Sequence, residues 1–344
     1  MLNKITDSSN MRAASFMRNQ DLEHLLNDLN SSLWLAEETL LENYNHPDLP
    51  IIFIMGPMRS GTTLLMQWLA DIDIVSYPSN LLSRFYRAPV IGAKIQLMLT
   101  DPRYNFRDEL GEITQRLNYV SENGKTRGVL APNEFWYFWR RFLPNPERDD
   151  HSNEDLENNM DTKTMLAELA GIVDVFKKPF ACKGMLFNYN IEFLHKIIKN
   201  AIFIQVCREP IFNMQSVLFA RERQLGSRDR WYSFKIKEYA ELSKLDPVKQ
   251  VAGQIYFINK AVSDGLSKVP VNNKIVVSYE TFCNSPESIY DSLVEKLEHL
   301  GYLGTKKYAG KKSFKPNKTW ACSASDEKLY SDEYDAFIQT YDAS

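Results

Sequence analysis

Cysteine is scarce and scattered in this chain: Cys182, Cys207, Cys283 and Cys322 stand apart, with no C-x-x-C pair. That spacing argues against zinc and disulfide frameworks and favours reduced, packed thiols, hence a cytoplasmic setting. An excess of one charge is also lacking. A net charge of −3 gives no broad attraction to nucleic acid or anionic membranes, so any anion site must be built locally. No apolar run reaches the roughly 18 residues of a membrane span, and Met1 to Asn10 hold no apolar signal core, so neither an anchor nor a transmembrane segment is expected. Internal repeats and low-complexity tracts are absent from the 344 residues, enough for one large α/β domain or two small ones.

What is present concentrates in Ile51-Ile-Phe-Ile-Met-Gly-Pro-Met-Arg-Ser-Gly-Thr-Thr-Leu-Leu65. An apolar β-type run enters a glycine-bounded turn that opens onto a helical pattern. Gly56 and Gly61 let the backbone approach an oxyanion, and the new helix aims unpaired N–H groups and its positive dipole end at the same point. The frame matches G-x-x-x-x-G-K-[ST] at Gly56, Gly61 and Thr63, but Thr62 takes the lysine position and the cation is Arg59. The plainer reading is a strand-to-helix turn whose glycines serve packing alone. A second unit, Ala201-Ile-Phe-Ile-Gln-Val-Cys-Arg-Glu-Pro210, ends a strand at Arg208 and starts a helix that carries Ser216. Two helical turns bring that hydroxyl back toward the strand end, where Arg208 can share a phosphate with it. Pairing of Arg208 with Glu209, or capping of a helix, is the alternative there.

The arginine followed by Ser60-Gly61-Thr62-Thr63 resembles the 5′-phosphosulfate loop of sulfotransferases that use 3′-phosphoadenosine 5′-phosphosulfate, PAPS. Arg208 with Ser216 is similar to that family's 3′-phosphate site. The resemblance implies PAPS as co-substrate, 3′,5′-phosphoadenosine as product, a hydroxyl-bearing acceptor and no metal. Arg59, Ser60, Gly61, Thr62, Thr63 and Leu64 would then surround the 5′ side, with Arg208 and Ser216 on the 3′-phosphate. Tyr279-Glu280, after the run Lys274-Ile-Val-Val-Ser278, resembles a late segment of the family and reads as mainly structural. The basic stretch Gly310 to Lys318 is either a loop closing over the 3′-phosphate or a solvated charge run.

Strand candidates at 51–55, 73–77, 180–183, 201–206 and 274–278 alternate with helical segments. This implies an α/β, P-loop-like three-layer fold: a central parallel sheet flanked by helices, with ligands beyond the strands' carboxyl ends. We expect an N-terminal arm and helix over 1–48, with leucines at 22, 25, 26, 29, 33, 40 and 41 docking the helix. The catalytic domain then spans 49–325 and a C-terminal tail 326–344. Within the domain, 80–178 reads as a helical acceptor-binding insertion, with helices near 82–99, 107–119, 133–142 and 161–177 and a mobile polar loop from Asn145 to Asp161.

A general base for the acceptor is harder to assign. One branch of the family that shares this loop places a glutamate where this chain has Pro78-Ser79-Asn80, which cannot serve. Glu134 is the first choice, lying in Pro132-Asn-Glu-Phe-Trp-Tyr-Phe-Trp-Arg-Arg-Phe142, where an apolar setting would raise its pKa. That aromatic stretch is either an acceptor platform or a buried amphipathic helix. His195 is a second candidate base, and Lys183, at a strand end, can touch the transferring sulfonate; surface positions are the plainer account of both. His151 reads as exposed. An acceptor that is a carbohydrate, a lipid or a small metabolite fits equally, with carbohydrate slightly preferred. Rival readings are an ATP-dependent small-molecule kinase, opposed by the missing loop lysine and magnesium-binding aspartate, and a noncatalytic nucleotide-binding module.

Overall fold

A computed structural model of the chain describes residues 12–13, 16–104, 107, 121–122, 125–304 and 306–342. Its strands are β1 (Ile51–Met55), the short antiparallel pair β2 (Ser121–Glu122) and β3 (Lys125–Thr126), then β4 (Phe180–Lys183), β5 (Ala201–Cys207) and β6 (Lys274–Ser278). Four of them form a parallel sheet in the order β4-β1-β5-β6, with Ile51 opposite both Phe180 and Ala201, and Phe203 opposite Lys274.

All five residues of β1 are buried, as an uninterrupted apolar run in a parallel sheet covered on both faces requires. The period of two sends Phe53, Met55, Phe180 and Phe203 to one core and Ile52, Ile54, Ile202 and Ile204 to the other. The second core is closed by Leu65 and Trp68 of the helix Thr62–Asp71 and by Leu293 of the helix Pro286–His299. The first is closed by Phe193, Met214 and Ile255 of three later helices and by Phe135, Phe138 and Trp139 of the insertion. This is the expected layering.

The run 73–77 is not a strand. Asp73 adopts a left-handed conformation (φ 58°), and only Ser76 reaches the sheet, as a single bridge to Phe180. The insertion holds helices Pro89–Thr100, Trp136–Arg140, Asn153–Asn159 and Thr162–Phe176. Of the helix read at 107–119, all but Arg107 lies outside the described residues, as does most of the polar arm. The loop read as mobile contains the helix Asn153–Asn159, capped by the Ser152 hydroxyl. His151 is buried there rather than exposed, its Nδ1 2.7 Å from Asp155 and its Nε2 3.1 Å from the Asn145 carbonyl, so both ring nitrogens are satisfied inside the loop.

The helix Gln20–Leu41 docks through polar groups as much as through leucines. Asn30 accepts from the Arg87 N–H (2.8 Å), and buried Glu37 accepts from the N–H groups of Val90 (2.7 Å) and Ile91 (3.0 Å), capping the helix Pro89–Thr100, while Leu25 and Leu35 face outward. At the other end, the helix Ala324–Tyr341 packs on Pro247–Ser267, with Phe337 stacked on Tyr256. Among the described residues no helix is long and apolar enough to cross a membrane.

Candidate active site

The connection leaving β1 runs toward β4 and the one leaving β5 runs toward β6, so their carboxyl ends flank a crevice where the strand order switches. The chain after β1 turns through Gly56 (φ 130°), Arg59 (φ 63°) and Gly61 (φ 106°). A Cβ on Gly56 would lie 2.7 Å from the Val206 carbonyl, and one on Gly61 would overlap the Tyr279 ring. Both positions therefore demand glycine. Asn188 pins the loop's start, accepting from the Gly56 N–H (3.0 Å) and donating to its carbonyl (3.1 Å). The helix Thr62–Asp71 has no side-chain cap, so its leading N–H groups open into the loop, next to a buried Ser60 hydroxyl without a partner.

Arg208, at the end of β5, donates from Nη1 to the Arg59 carbonyl (2.9 Å) and from Nη2 to the Asn317 carbonyl (2.5 Å), and lies 4.9 Å from the centroid of the Tyr279 ring. Its Nε is buried and unpartnered, and burial lowers its pKa despite the nearby Tyr279. Ser216 accepts from Arg59 Nε at 3.2 Å. The late basic segment lies over this corner. Asn317 donates its N–H to the Tyr279 hydroxyl (3.1 Å), and Gln215 holds Thr319 and Ala321. Glu280 accepts from Ser278 and from the Glu209 N–H, fixing the ends of β6 and β5.

On the other side of the loop, Lys183 ends β4 with its ammonium between Thr63 Oγ1 (2.8 Å) and Glu134 Oε1 (2.9 Å). It is 5% exposed, which excludes a solvated lysine. Glu134 also accepts from the Trp136 indole N–H. Burial pushes the Glu134 carboxyl up, but Lys183, the indole and Arg59 together outweigh it, and the pKa ends below the ordinary glutamate range. The expected upward shift is thus reversed, because the sequence neighbourhood is apolar while the spatial one is cationic. A small cavity of about 10 Å³, bordered by Trp136, Trp139, Met185 and Leu186, adjoins Glu134 and Lys183.

A family model described as "Sulfotransferase family" matches residues 50–299. The chain belongs to this family. Among solved structures it is similar to sulfotransferase STF9 from Mycobacterium avium, at 16% identity and a TM-score of 0.52, covering 94% of this chain and 84% of that one. Sulfotransferase STF1 from Mycobacterium tuberculosis H37Rv aligns at 13% identity and a TM-score of 0.49, over 90% and 81%. No curated protein matches.

In this sulfotransferase the residues singled out from sequence fall into two linked groups. Arg59, Ser60, Gly61, Arg208 and Ser216 meet at the β1–β5 corner, and Thr63, Lys183 and Glu134 meet beside it. Thr62 is buried at the helix start, with Leu64 in the same first turn. His195 is not brought to either group: it stands edge-on to Phe203, with burial lowering its pKa. Asn188, Tyr279, Gln215 and Asn317 complete the corner without having been assigned from sequence. Two of them carried a signal: Tyr279 by its place directly after the β6 run, and Asn317 by lying in the basic stretch Gly310 to Lys318, which covers this corner.

Proposed function

We propose that this enzyme moves a sulfuryl group from PAPS to an acceptor hydroxyl. The observation that carries the reading is the meeting of Arg59, Arg208 and Ser216 at one corner, beside an uncapped helix and two buried polar atoms, Ser60 Oγ and Arg208 Nε, that have no protein partner. Such orphaned groups fit oxyanions. The donor supplies the sulfonate and a phosphate leaving group, and catalysis then rests mostly on positioning and charge.

In this reading Arg59, the loop N–H groups, Ser60, Thr62 and Thr63 hold the 5′-phosphate, and Arg208 with Ser216 holds the 3′-phosphate. Glu134, kept ionised by Lys183, takes the proton from the acceptor hydroxyl. Lys183 lies between Thr63 and Glu134, the position from which it can offset charge on the sulfonate. The acceptor approaches Glu134 from the side of half-buried Trp136, while Trp139 is packed in the core, and a carbohydrate, a lipid or a small metabolite with a hydroxyl fits the same chemistry. Four free cysteines accord with action in the cytoplasm.

Calorimetry with 3′,5′-phosphoadenosine in the presence of a chelator, followed by a hydroxyl-compound panel with labelled PAPS, tests the proposal. Metal-independent binding and label transfer are expected. Preference for ATP with magnesium would point to a kinase instead, and binding without turnover on any hydroxyl would leave a noncatalytic module.

A further inference from the structure

The strand β4 is connected to Glu134 from both of its ends. Its carboxyl end carries Lys183, whose ammonium donates to Glu134 Oε1 at 2.9 Å. Its start is bridged by Ser76, whose N–H donates to the Pro179 carbonyl (2.7 Å) and whose carbonyl accepts from the Ala181 N–H (2.8 Å). The residues that follow Ser76 then hold the segment that presents Glu134. Tyr77 donates its hydroxyl to the Leu130 carbonyl (2.9 Å), the Asn80 N–H donates to the Ala131 carbonyl (2.9 Å), and the Asn133 N–H donates to the Pro78 carbonyl (2.7 Å). Pro78-Ser79-Asn80 contains no acid, yet it is the support against which this segment's acid is held.

Asn133, next to Glu134 in the chain, closes this support. Its Nδ2 donates to Asn80 Oδ1 (2.8 Å) and its Oδ1 accepts from the Phe135 N–H (2.9 Å), while Asn80 Nδ2 donates to the Gly128 carbonyl (2.9 Å). Phe135 lies in the left-handed region (φ 58°, ψ 31°) although it is bulky and buried, a conformation that persists only where the neighbours over-determine it. Here they are the Asn133 side chain on its N–H and the Phe138 ring stacked on its own at 4.3 Å. The turn brings the Trp136 indole N–H onto Glu134 Oε2, so each carboxylate oxygen has one donor and the plane of the group is fixed. A general base works over one hydrogen-bond length, and a carboxylate that swings away loses rate without loss of fold.

We propose that Asn133, braced by Asn80, is a positioning residue for the general base, fixing the turn at Glu134 so that its carboxylate stays clamped between Lys183 and Trp136. This rests on the sulfuryl-transfer reading, which makes Glu134 the base. Asn133 touches neither donor nor acceptor and acts through Glu134 alone.

NMR of the full chain, isotope-labelled at its glutamate carboxyl carbons and saturated with 3′,5′-phosphoadenosine, follows the Glu134 titration, assigned by its absence in Glu134→Gln. Asn133→Ala should move that titration upward, because the carboxylate slips from Lys183 and Trp136. Asn133→Ser, whose hydroxyl can accept from the Phe135 N–H, should bring it part of the way back. With labelled PAPS and the fastest of glucose, phenol and water as acceptor, Asn133→Ala should lower kcat about tenfold or more with KM for PAPS unchanged. In a Glu134→Gln background the same change should cost less than about twofold, since no base is left to misplace. Where Asn133→Ala does not fold, Asn80→Ala, which leaves the Asn133–Phe135 hydrogen bond in place, is read in the same way. A Glu134 titration unmoved by the alanine variant, or an equal loss of kcat with and without Glu134, overturns the inference. Normal turnover in Glu134→Gln removes the base and this inference together, whereas failure to bind 3′,5′-phosphoadenosine removes the sulfuryl-transfer reading itself.

Discussion

Arg59 Nε donates to Ser216 Oγ at 3.2 Å, joining residues 157 positions apart and tying the loop after β1 to the helix after β5. The guanidinium thus stands between the two corners proposed for the two phosphates. Arg59→Ala is expected to lower kcat with PAPS by about 10²–10³, the range for losing one donor aimed at developing charge. Steady-state turnover of labelled PAPS checks this, and unchanged turnover would remove Arg59 from the mechanism.

Glu134→Gln should lower turnover by about 10²–10⁴, the contribution of a positioned general base, and leave 3′,5′-phosphoadenosine affinity intact. His195→Gln should retain turnover, since its ring rests on Phe203 rather than on the loop. Comparing the two variants with one acceptor decides between the bases.

The pH dependence follows from the direction of the Glu134 shift. Burial raises this carboxyl, and Lys183, Trp136 and Arg59 lower it further than burial raises it. A depressed folded pKa contributes stability above the ordinary glutamate range, and that contribution disappears as pH falls through the lowered value. The acid limb of kcat/KM should accordingly lie below the usual glutamate titration. In Lys183→Met, where burial is less opposed, a pH–rate profile should show the limb displaced upward.

Two glycines with positive φ offer an internal comparison. Gly226→Ala has open space around the added methyl and should cost only the left-handed strain, about 1–2 kcal/mol. Gly61→Ala meets the Tyr279 ring as well, so its loss of stability should be larger and accompanied by loss of nucleotide binding. Denaturant midpoints for both variants, with calorimetry, check the order.

Asn188→Ala removes both bonds to Gly56 and leaves buried backbone groups unpaired, at about 1–3 kcal/mol. Denaturant melts should show that loss, and 3′,5′-phosphoadenosine should bind more weakly because the loop's start is no longer fixed.

The layering and the two arginine corners were legible because they depend on local signals. A continuous apolar run such as Ile51–Met55 suits a strand buried on both faces, and Gly56 and Gly61 mark a turn that other residues cannot make. Residues 73–77 misled because Asp73 breaks the extended backbone, leaving one bridge at Ser76. The charge state of Glu134 was misread because Lys183, 49 positions later, decides it rather than the aromatic neighbours. Asn188 gave no signal, since its hydrogen bonds to Gly56 span 132 positions.

The order β4-β1-β5-β6 has a consequence for how the polypeptide matures. Neither β1 nor β5 alone makes the proposed anion site, and their alignment closes a large loop, an entropic cost met before any contact rewards it. Nascent chains lacking β5 thus have half a crevice, and a ligand gripping both halves acts as a staple for the finished sheet, raising its melting temperature with concentration.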